Sequence, residues 1–340
     1  MINPAICKLT SGENLNRSEA REVMLSLMQG EASDAQIGAL LIALRMKGET
    51  SDEIAGLAEG MRESATNIYP ARRPLLDTCG TGGDRLSTFN ISTAAAFIAA
   101  GAGVSVAKHG NRAVSSTCGS ADVLEELGVG IDLEPQRVRE CIDEVGIGFL
   151  FAPRFHPAMR HVMKARREIG IPTAFNLLGP LTNPASANAQ LLGVGSRKYG
   201  LLLATALREI GVRHAMVVHS EDGMDELTTT SNNFIWEMND EGVREYMLDA
   251  RDLGFRSCSV ADLRGGDSLT NARIIKNEVL AGIASPRRDV AVLNAAAAIT
   301  VAGVAGTLGE GLDLANRSID SGAARNKLDE LVAFTSEDEQ

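Results

Sequence analysis

Apolar residues recur every three to four positions through the first 70 residues of this 340-residue chain. That spacing places them on one face of a helix and predicts successive amphipathic helices. The predicted helices cover residues 19–29, 34–47 and 52–62. The expected caps are Ser33 and Ser51 at helix starts, and Gly30 and Gly48 at helix ends. The N-terminal segment is therefore predicted to form a small all-helical domain.

Beyond residue 75, short apolar runs alternate with helical segments. Alternation of this kind is typical of an α/β domain. The predicted strands are 75–79, 104–107, 147–152, 191–194, 215–219, 234–237 and 245–248. The expected fold class is α/β, with a large α/β domain built on a central mixed sheet flanked by helices. We place the small helical domain at residues 1–70 and the large domain at residues 71–340.

The first predicted strand leads into the glycine-rich sequence GTGGD at 80–84, and NIST at 90–93 then begins a helix. A strand, a glycine turn and a helix start together direct free backbone N–H groups towards an anion. Glycine also lets the backbone approach phosphate oxygens, because no Cβ intervenes. The loop matches neither G-x-G-x-x-G nor G-x-x-x-x-G-K-[ST], which argues against a dinucleotide or P-loop site.

A second polar turn follows the predicted strand at 104–107. Arg112 suits bidentate contact with phosphate, whereas Lys108 acts as a point charge. Neutral donors follow in the same stretch, namely Ser115, Ser116 and Ser120. Ligands of open α/β sheets gather at the carboxyl ends of the strands. Two such turns therefore predict one site for a phosphorylated, pyrophosphate-bearing ligand.

An acidic turn, SEDGMDE at 220–226, follows the predicted strand at 215–219. Adjacent carboxylates at a loop suit Mg²⁺, which proteins usually hold together with the phosphates of a substrate. A solvated acidic turn is the ordinary alternative for such a cluster. The two phosphate-binding turns favour the metal, so Asp225 and Glu226 are predicted to bind Mg²⁺.

These motifs resemble the anthranilate phosphoribosyltransferase family over nearly the whole chain. The matching segments are GTGGD (80–84), NIST (90–93), KHGNRAVSS (108–116), GSADVLEELG (119–128), FAPRFHPAMRHVMKARREIGIPTAFNLLGPLTNP (151–184) and DGMDE (222–226). Two features depart from the family, Arg85 after the glycine loop and the three threonines at 228–230. Neither departure falls on a position to which the resemblance assigns a role.

The resemblance implies a role for each matching residue. Phosphoribosyl pyrophosphate (PRPP) would be bound by Gly80, Gly83, Asp84, Thr88, Asn90, Ile91, Ser92, Thr93, Lys108, His109, Gly110, Asn111, Arg112, Ser115, Ser116 and Ser120. Anthranilate would be bound by Gly80, Asn111, His156 and Arg166, and Mg²⁺ by Ser92, Asp225 and Glu226. The predicted catalytic residues are Lys108, Arg166, Asp225 and Glu226.

The reaction implied by the resemblance is displacement of pyrophosphate from the anomeric carbon of PRPP by the amine of anthranilate, in tryptophan biosynthesis. Positive charge builds on the ribose ring as pyrophosphate leaves, so the task of the enzyme is mainly electrostatic. The resemblance also implies that a helical segment at about 159–185 returns to the small domain. A homodimer formed through that domain is expected as well.

Composition narrows the range of partners. The net charge of −11 argues against binding to nucleic acid or to an anionic membrane surface. The five cysteines include no C-x-x-C pair, which favours reduced thiols and a cytoplasmic location. The first 20 residues lack a basic region followed by an apolar core, so no signal peptide is expected.

Two other functions remain open at this point. A pyrimidine nucleoside phosphorylase also breaks a bond at an anomeric carbon, but the sequences KHGNR (108–112) and LLGPLTNP (177–184) resemble the transferase more closely. A relative repurposed for nucleic-acid binding is the second alternative. The acidic charge and the intact Asp225–Glu226 pair argue against it.

Overall fold

A seven-stranded sheet forms the centre of the computed structural model, which describes residues 1–84, 86–113 and 117–336. The strands are β1 (Leu75–Gly80), β2 (Ser105–Gly110), β3 (Ile147–Phe151), β4 (Ala189–Gly193), β5 (His214–Ser220), β6 (Asn233–Asn239) and β7 (Gly242–Leu248). Their order is β3-β2-β1-β4-β5-β6-β7. The first five strands in this order are parallel, and β6 and β7 run antiparallel. The predicted mixed sheet is confirmed, and each predicted strand overlaps one of these strands.

Helices surround this sheet and also form a bundle at the N-terminus. In the first half of the chain they are α1 (Ile2–Thr10), α2 (Arg17–Met28), α3 (Asp34–Lys47), α4 (Ser51–Glu63), α5 (Ile91–Gly101), α6 (Ser120–Glu126), α7 (Pro135–Val145), α8 (Ala152–Phe155) and α9 (Arg160–Ile169). They continue as α10 (Ala174–Leu178), α11 (Gly200–Glu209), α12 (Ser268–Ile274), α13 (Pro286–Val301), α14 (Leu308–Asp320) and α15 (Ala323–Ser336). None of the helices among the described residues has the length and apolarity that crossing a membrane requires.

The predicted helix caps are confirmed with one exception. Ser33 caps α3 and accepts a hydrogen bond from the Gln36 N–H, and Gly48 ends that helix at φ +90°. Ser51 is not a cap, because Thr50 accepts the hydrogen bond from the Glu53 N–H and Ser51 is already helical. Threonine and serine cap helices by the same hydroxyl geometry, so sequence alone places this start one residue late. Helix α1 lies outside the predicted helices.

The helical bundle meets the sheet through α11. This helix contacts β5 and β6 on one side and α4 on the other. Helices α9 and α10 lie against the bundle, α9 on α2 and α3, and α10 on α3 and α4. On the opposite face of the sheet, α5 and α13 cover β1 and form part of a second hydrophobic core. Because β1, β2 and β5 belong to the parallel part of the sheet, their carboxyl ends share one edge of it, close to the bundle.

Candidate active site

The glycine loop after β1 is anchored by the end of β4. The Thr81 N–H donates to the Gly193 carbonyl at 2.9 Å, and the Gly195 N–H donates to the Thr81 hydroxyl at 3.1 Å. Gly82 and Gly83 have φ values of +67° and +89°, a left-handed backbone that favours glycine. The GTGGD sequence thus forms a turn whose shape depends on its glycines.

Two glycines, Gly80 and Gly193, lie in close contact with the acidic turn at Asp225. A Cβ built on Gly80 would overlap the Asp225 Oδ2, and one built on Gly193 would overlap the Asp225 backbone carbonyl. The carboxylate could rotate away from a methyl group on residue 80. A backbone carbonyl has no such freedom, so Gly193 fixes how closely the acidic turn packs on β4.

Substitution of Gly193 by alanine is expected to destabilise the chain by roughly 1–3 kcal/mol or more, because the new methyl group displaces the Asp225 backbone. Turnover should fall together with the melting temperature. Gly38→Ala is the matched control: it lies within α3, has open space around it, and should be neutral or stabilising. A Gly193→Ala protein with wild-type melting temperature and turnover would contradict the close packing.

The acidic pair lies directly against the glycine loop and the start of α5. Asp225 Oδ2 accepts a hydrogen bond from the Gly82 N–H at 2.8 Å, and Glu226 Oε1 accepts one from the Ser92 N–H at 3.1 Å. Burial and the nearby Asp84 raise the pKa of Asp225 to about 7. Burial and Asp225 raise the pKa of Glu226 well above its usual range. Two amides from the predicted anion-binding turns thus donate to the chain's own carboxylates.

These donors suit Mg²⁺ only as part of a larger set. No group of three or more His, Cys, Asp or Glu side chains within residues 1–84, 86–113 and 117–336 is arranged to hold a metal ion. Mg²⁺ commonly binds to one or two carboxylates and completes its shell with water and substrate phosphates. Asp225 and Glu226, next to the Ser92 backbone N–H, fit that pattern, and a bound cation would offset the burial and charge repulsion that raise their pKa values.

Lys108 lies buried beneath the same turns. Its Nζ donates to the Thr78 carbonyl at 2.6 Å and lies 3.4 Å from the Ser92 Oγ. Burial lowers the pKa of Lys108, whereas the negative charges of Asp77 and Glu226 oppose that shift. Burial raises the pKa of Asp77 to about 6. A cation is therefore held at the junction of β1, β2 and α5, next to the acidic pair.

A cavity of about 510 Å³ opens beside the end of β1 and runs towards the helical bundle. Its lining includes Gly80, Asn111, His156 and Arg166, the four residues predicted to contact anthranilate. The Arg166 guanidinium lies 4.8 Å from the Phe175 ring centroid and 3.8 Å from the Met163 sulfur. None of the ion pairs among the described residues involves Arg166, and burial lowers its pKa. This half-buried cation can therefore receive a carboxylate from a ligand.

Two family models match the chain. One, described as the a/b domain of a glycosyl transferase family, matches residues 72–325, and the other, described as its helical bundle domain, matches residues 3–65. An anthranilate phosphoribosyltransferase from Methanocorpusculum labreanum is 55% identical over 336 residues, 98% of either chain. The chain belongs to the anthranilate phosphoribosyltransferase family.

Solved structures of the anthranilate phosphoribosyltransferase family share this architecture. The crystal structure of the Thermus thermophilus enzyme is 46% identical with a TM-score of 0.93, and the match covers 98% of this chain and 99% of that one. The Saccharomyces cerevisiae enzyme in complex with PRPP and Mg is 28% identical with a TM-score of 0.89, covering 99% and 98% of the two chains. Another structure of the yeast enzyme contains 4-fluoroanthranilate.

Two histidines, His109 and His156, also line the cavity. His109 and His156 have ring centroids 5.1 Å apart, and the Nε2 of each has no hydrogen-bond partner among the residues that the structure describes. Burial lowers the pKa of His109 to about 3 and that of His156 to about 4. Both rings are therefore neutral at pH 7, whereas Arg166, which lines the same cavity, carries a positive charge.

Several residues that the anthranilate phosphoribosyltransferase resemblance assigns to PRPP have other contacts in this structure. The Arg112 guanidinium pairs with Asp122 and Glu125 on α6. The Thr93 hydroxyl is buried without a partner among the described residues, and Ile91 packs in the core. These contacts do not test PRPP binding, which stays a prediction for all three.

The remaining predicted residues divide into those near the turns and those outside the described ranges. The Asn90 side chain donates to the Cys118 carbonyl at 3.1 Å, and Thr88 pairs with Arg264 in an isolated β-bridge. The Ser120 hydroxyl donates to the carbonyl of Asn111, the residue that follows the end of β2, at 3.4 Å. Arg85, Ser115 and Ser116 lie outside the described residues.

Sequence reasoning missed a buried polar pair below the second turn. Asp77 accepts hydrogen bonds from the His109 N–H at 3.2 Å and from the Asn183 side chain at 2.8 Å. The same amide group of Asn183 donates to the Ala107 carbonyl at 2.7 Å. Asp77 lies in β1, three residues before the start of the GTGGD loop, and Asn183 lies in the LLGPLTNP segment. Only their contact in the folded chain reveals a shared structural role.

Proposed function

We propose that this chain transfers the phosphoribosyl group of PRPP to the amine of anthranilate, giving N-(5-phosphoribosyl)anthranilate and pyrophosphate in tryptophan biosynthesis. The observation that carries the proposal is the position of Arg166. Its half-buried guanidinium faces a cavity that reaches Gly80 and Asn111, where the two predicted phosphate-binding turns leave β1 and β2. A small aromatic acid bound by Arg166 would thus lie next to a phosphoribosyl donor.

The chemistry that the site supports is electrostatic. Bond breaking at the anomeric carbon leaves negative charge on pyrophosphate, which Lys108 would stabilise together with backbone N–H groups. The amine of anthranilate is neutral at pH 7 and carries a lone pair, so no strong base is needed. The neutral imidazoles of His109 and His156 can hydrogen-bond to the bound acid without adding charge. The site would hold the amine in line with the ribose carbon.

We propose that Ser92, Asp225 and Glu226 hold Mg²⁺ together with substrate phosphates. Mg²⁺ would neutralise pyrophosphate charge when bound. The yeast enzyme of this family binds both PRPP and Mg, which supports the assignment. The proposed PRPP residues are the sixteen assigned above, from Gly80 to Ser120, and the anthranilate residues are Gly80, Asn111, His156 and Arg166.

We also propose a division into a small helical domain, residues 1–70 with about 159–185, and a large domain, residues 71–340. The packing of α9 and α10 on α2, α3 and α4 supports this division. The cavity lies where the two parts meet, so closure between them would exclude water from the ribosyl centre. A homodimer through the small domain and a cytoplasmic location are parts of the same proposal.

A fluorescence assay tests the function directly. Purified protein would be mixed with anthranilate, PRPP and Mg²⁺, and the loss of anthranilate fluorescence followed. Loss that requires all three additions and the protein is the expected result. No loss with folded protein would refute the transferase. Consumption of thymidine or uridine with inorganic phosphate would then favour the nucleoside phosphorylase.

Arg166→Ala is expected to raise the KM for anthranilate by roughly 30-fold or more, the equivalent of at least about 2 kcal/mol for a lost buried charge contact. The KM for PRPP should change little, because Arg166 lies on the anthranilate side of the cavity. Initial rates at varied concentrations of each substrate would separate the two constants.

Arg167→Ala is the matched control for this measurement. Arg167 is the next residue of α9 and is exposed, so its removal changes the same net charge without changing the cavity. Equal KM values for anthranilate in the two variants would show that Arg166 does not bind the carboxylate.

A further inference from the structure

Two buried asparagines hold the chain immediately after the acidic pair. The Leu227 N–H donates to the Asn294 Oδ1 at 3.1 Å, and the Asn294 amide donates back to the Leu227 carbonyl at 2.7 Å. The Thr228 N–H donates to the Asn233 Oδ1 at 2.8 Å, and the Asn233 amide donates to the Thr228 carbonyl at 2.9 Å. Both asparagine side chains are fully buried. Each therefore satisfies both backbone polar groups of one residue, as a neighbouring strand would.

The position of Asn294 is unusual for an asparagine. It lies in the middle of α13 and is followed by four buried alanines, 295–298. Asparagine is a weak helix former, and a buried amide is unfavourable unless its hydrogen bonds are made. The Asn294 amide makes them with Leu227 and with the Val290 carbonyl, at 2.9 Å for the latter. The contact with Leu227 thus accounts for a polar residue in an apolar helix.

The acidic pair is also fixed on its other side. The Met224 N–H donates to the Ser220 hydroxyl at 2.9 Å, and the Ser220 N–H donates to the Met224 carbonyl at 3.0 Å. Asp225 and Glu226 are therefore the two residues between paired positions at Met224 and Leu227. Their backbone has little freedom, while their carboxylates face the glycine loop and α5.

We propose that Asn294 and Asn233 form an asparagine clamp that positions the Asp225 and Glu226 carboxylates for Mg²⁺. This inference rests on the metal assignment of the proposed function and extends it to residues that touch neither metal nor substrate. A metal site gains affinity when its ligands are held in place by groups behind them. The clamp supplies that restraint through the backbone, from α13 and from β6.

Asn294→Ala and Asn233→Ala test the clamp. Mn²⁺ binding in the presence of PRPP, followed by electron paramagnetic resonance, is expected to weaken about 10- to 100-fold in either variant. The Mg²⁺ concentration for half-maximal turnover should rise by a similar factor. The KM for anthranilate should stay within about twofold of wild type. A general loss of structure would raise this KM as well, so an unchanged value shows that the effect is confined to the metal site.

Thr300→Val is the matched control on α13. It removes a buried hydroxyl that donates to the Ala296 carbonyl at 2.8 Å, away from the acidic turn. Its Mn²⁺ affinity should equal that of wild type although its melting temperature falls. Folded asparagine variants that bind Mn²⁺ as wild type does, or a control that loses the same affinity, would overturn the clamp.

Hydrogen exchange of the wild-type chain decides the matter if neither variant folds. The Leu227 and Thr228 amides should exchange as slowly as those of β5, and fast exchange at both would overturn the clamp. Wild-type turnover tests the proposed function separately, because a chain without transferase activity can still be compared with its variants for Mn²⁺ binding.

Discussion

Replacing Asp225 with asparagine and Glu226 with glutamine in one protein is expected to lower turnover at least about 100-fold and to leave the fold intact. Loss of groups that only orient metal ligands already lowers metal affinity or activity about 10- to 100-fold, so loss of the ligands themselves should do more. Saturating Mg²⁺ should not restore the rate. Removal of metal from the wild-type protein with a chelator should reproduce the loss.

The fold should survive because the amide side chains can keep the local hydrogen bonds. Asparagine and glutamine oxygens can still accept from the Gly82 and Ser92 N–H groups, as the carboxylates do. Burial raises the pKa values of both acids, with further repulsion from Asp84 on Asp225 and from Asp225 on Glu226. Their charged forms therefore destabilise the folded chain at neutral pH. The double variant is therefore expected to melt at or above the wild-type temperature in the absence of metal.

Glu221→Gln provides the comparison within the same turn. Its carboxylate is exposed and accepts only from the Asn232 side chain at 3.1 Å among the contacts of the described chain. Turnover and Mg²⁺ dependence should be unchanged in this variant. If the double variant and Glu221→Gln both kept wild-type turnover, Asp225 and Glu226 could not be the metal ligands.

The sheet and the meeting of its loops were predictable because they depend on local patterns and one general rule. Short apolar runs separated by helical segments identify the strands. Parallel strands present their carboxyl ends at one edge, which brings together the loops after β1, β2 and β5. The contacts of Gly82 and Ser92 with Asp225 and Glu226 show that the segments after β1 and β5 meet.

The partners of individual side chains were not predictable. Arg112 resembles a phosphate-binding arginine in sequence, yet Asp122 and Glu125 occupy its guanidinium in this structure. Arg166 belongs to a run of charges on a helix, and only the tertiary packing places it in a cavity without a carboxylate partner among the described residues. Periodicity reports which face of an element is buried, but not which group it meets there.

The buried asparagines illustrate the same limit. Asn294 lies within α13, directly before four buried alanines, and its side-chain hydrogen bonds depend on Leu227, 67 positions earlier. Asp77 and Asn183 are 106 positions apart. Each polar group looks unfavourable in its own segment and becomes favourable only with its distant partner. A sequence motif therefore finds the groups that touch ligands more readily than the groups that hold them.

Lys108→Met is expected to lower kcat/KM for PRPP by roughly 100- to 1000-fold, the usual effect of removing one group aimed at developing negative charge in a closed site. Methionine keeps much of the volume of the lysine stem, so the change removes mainly the cation. The KM for anthranilate should change little, because Lys108 lies against Thr78 of β1 and Ser92 of α5 and does not line the cavity of Arg166.

Lys327→Met shows whether such an effect is specific to the site. Lys327 also donates to a backbone carbonyl, that of Val145 at 2.7 Å, and pairs with Glu330 on α15. Its removal deletes one positive charge and one lysine–carbonyl hydrogen bond far from the glycine loop, and kinetics should be unchanged. Initial rates with varied PRPP compare both variants with wild type. If Lys108→Met stays within about threefold of wild type, the buried cation only stabilises the junction of β1, β2 and α5. Pyrophosphate would then depend on Mg²⁺ and backbone N–H groups alone.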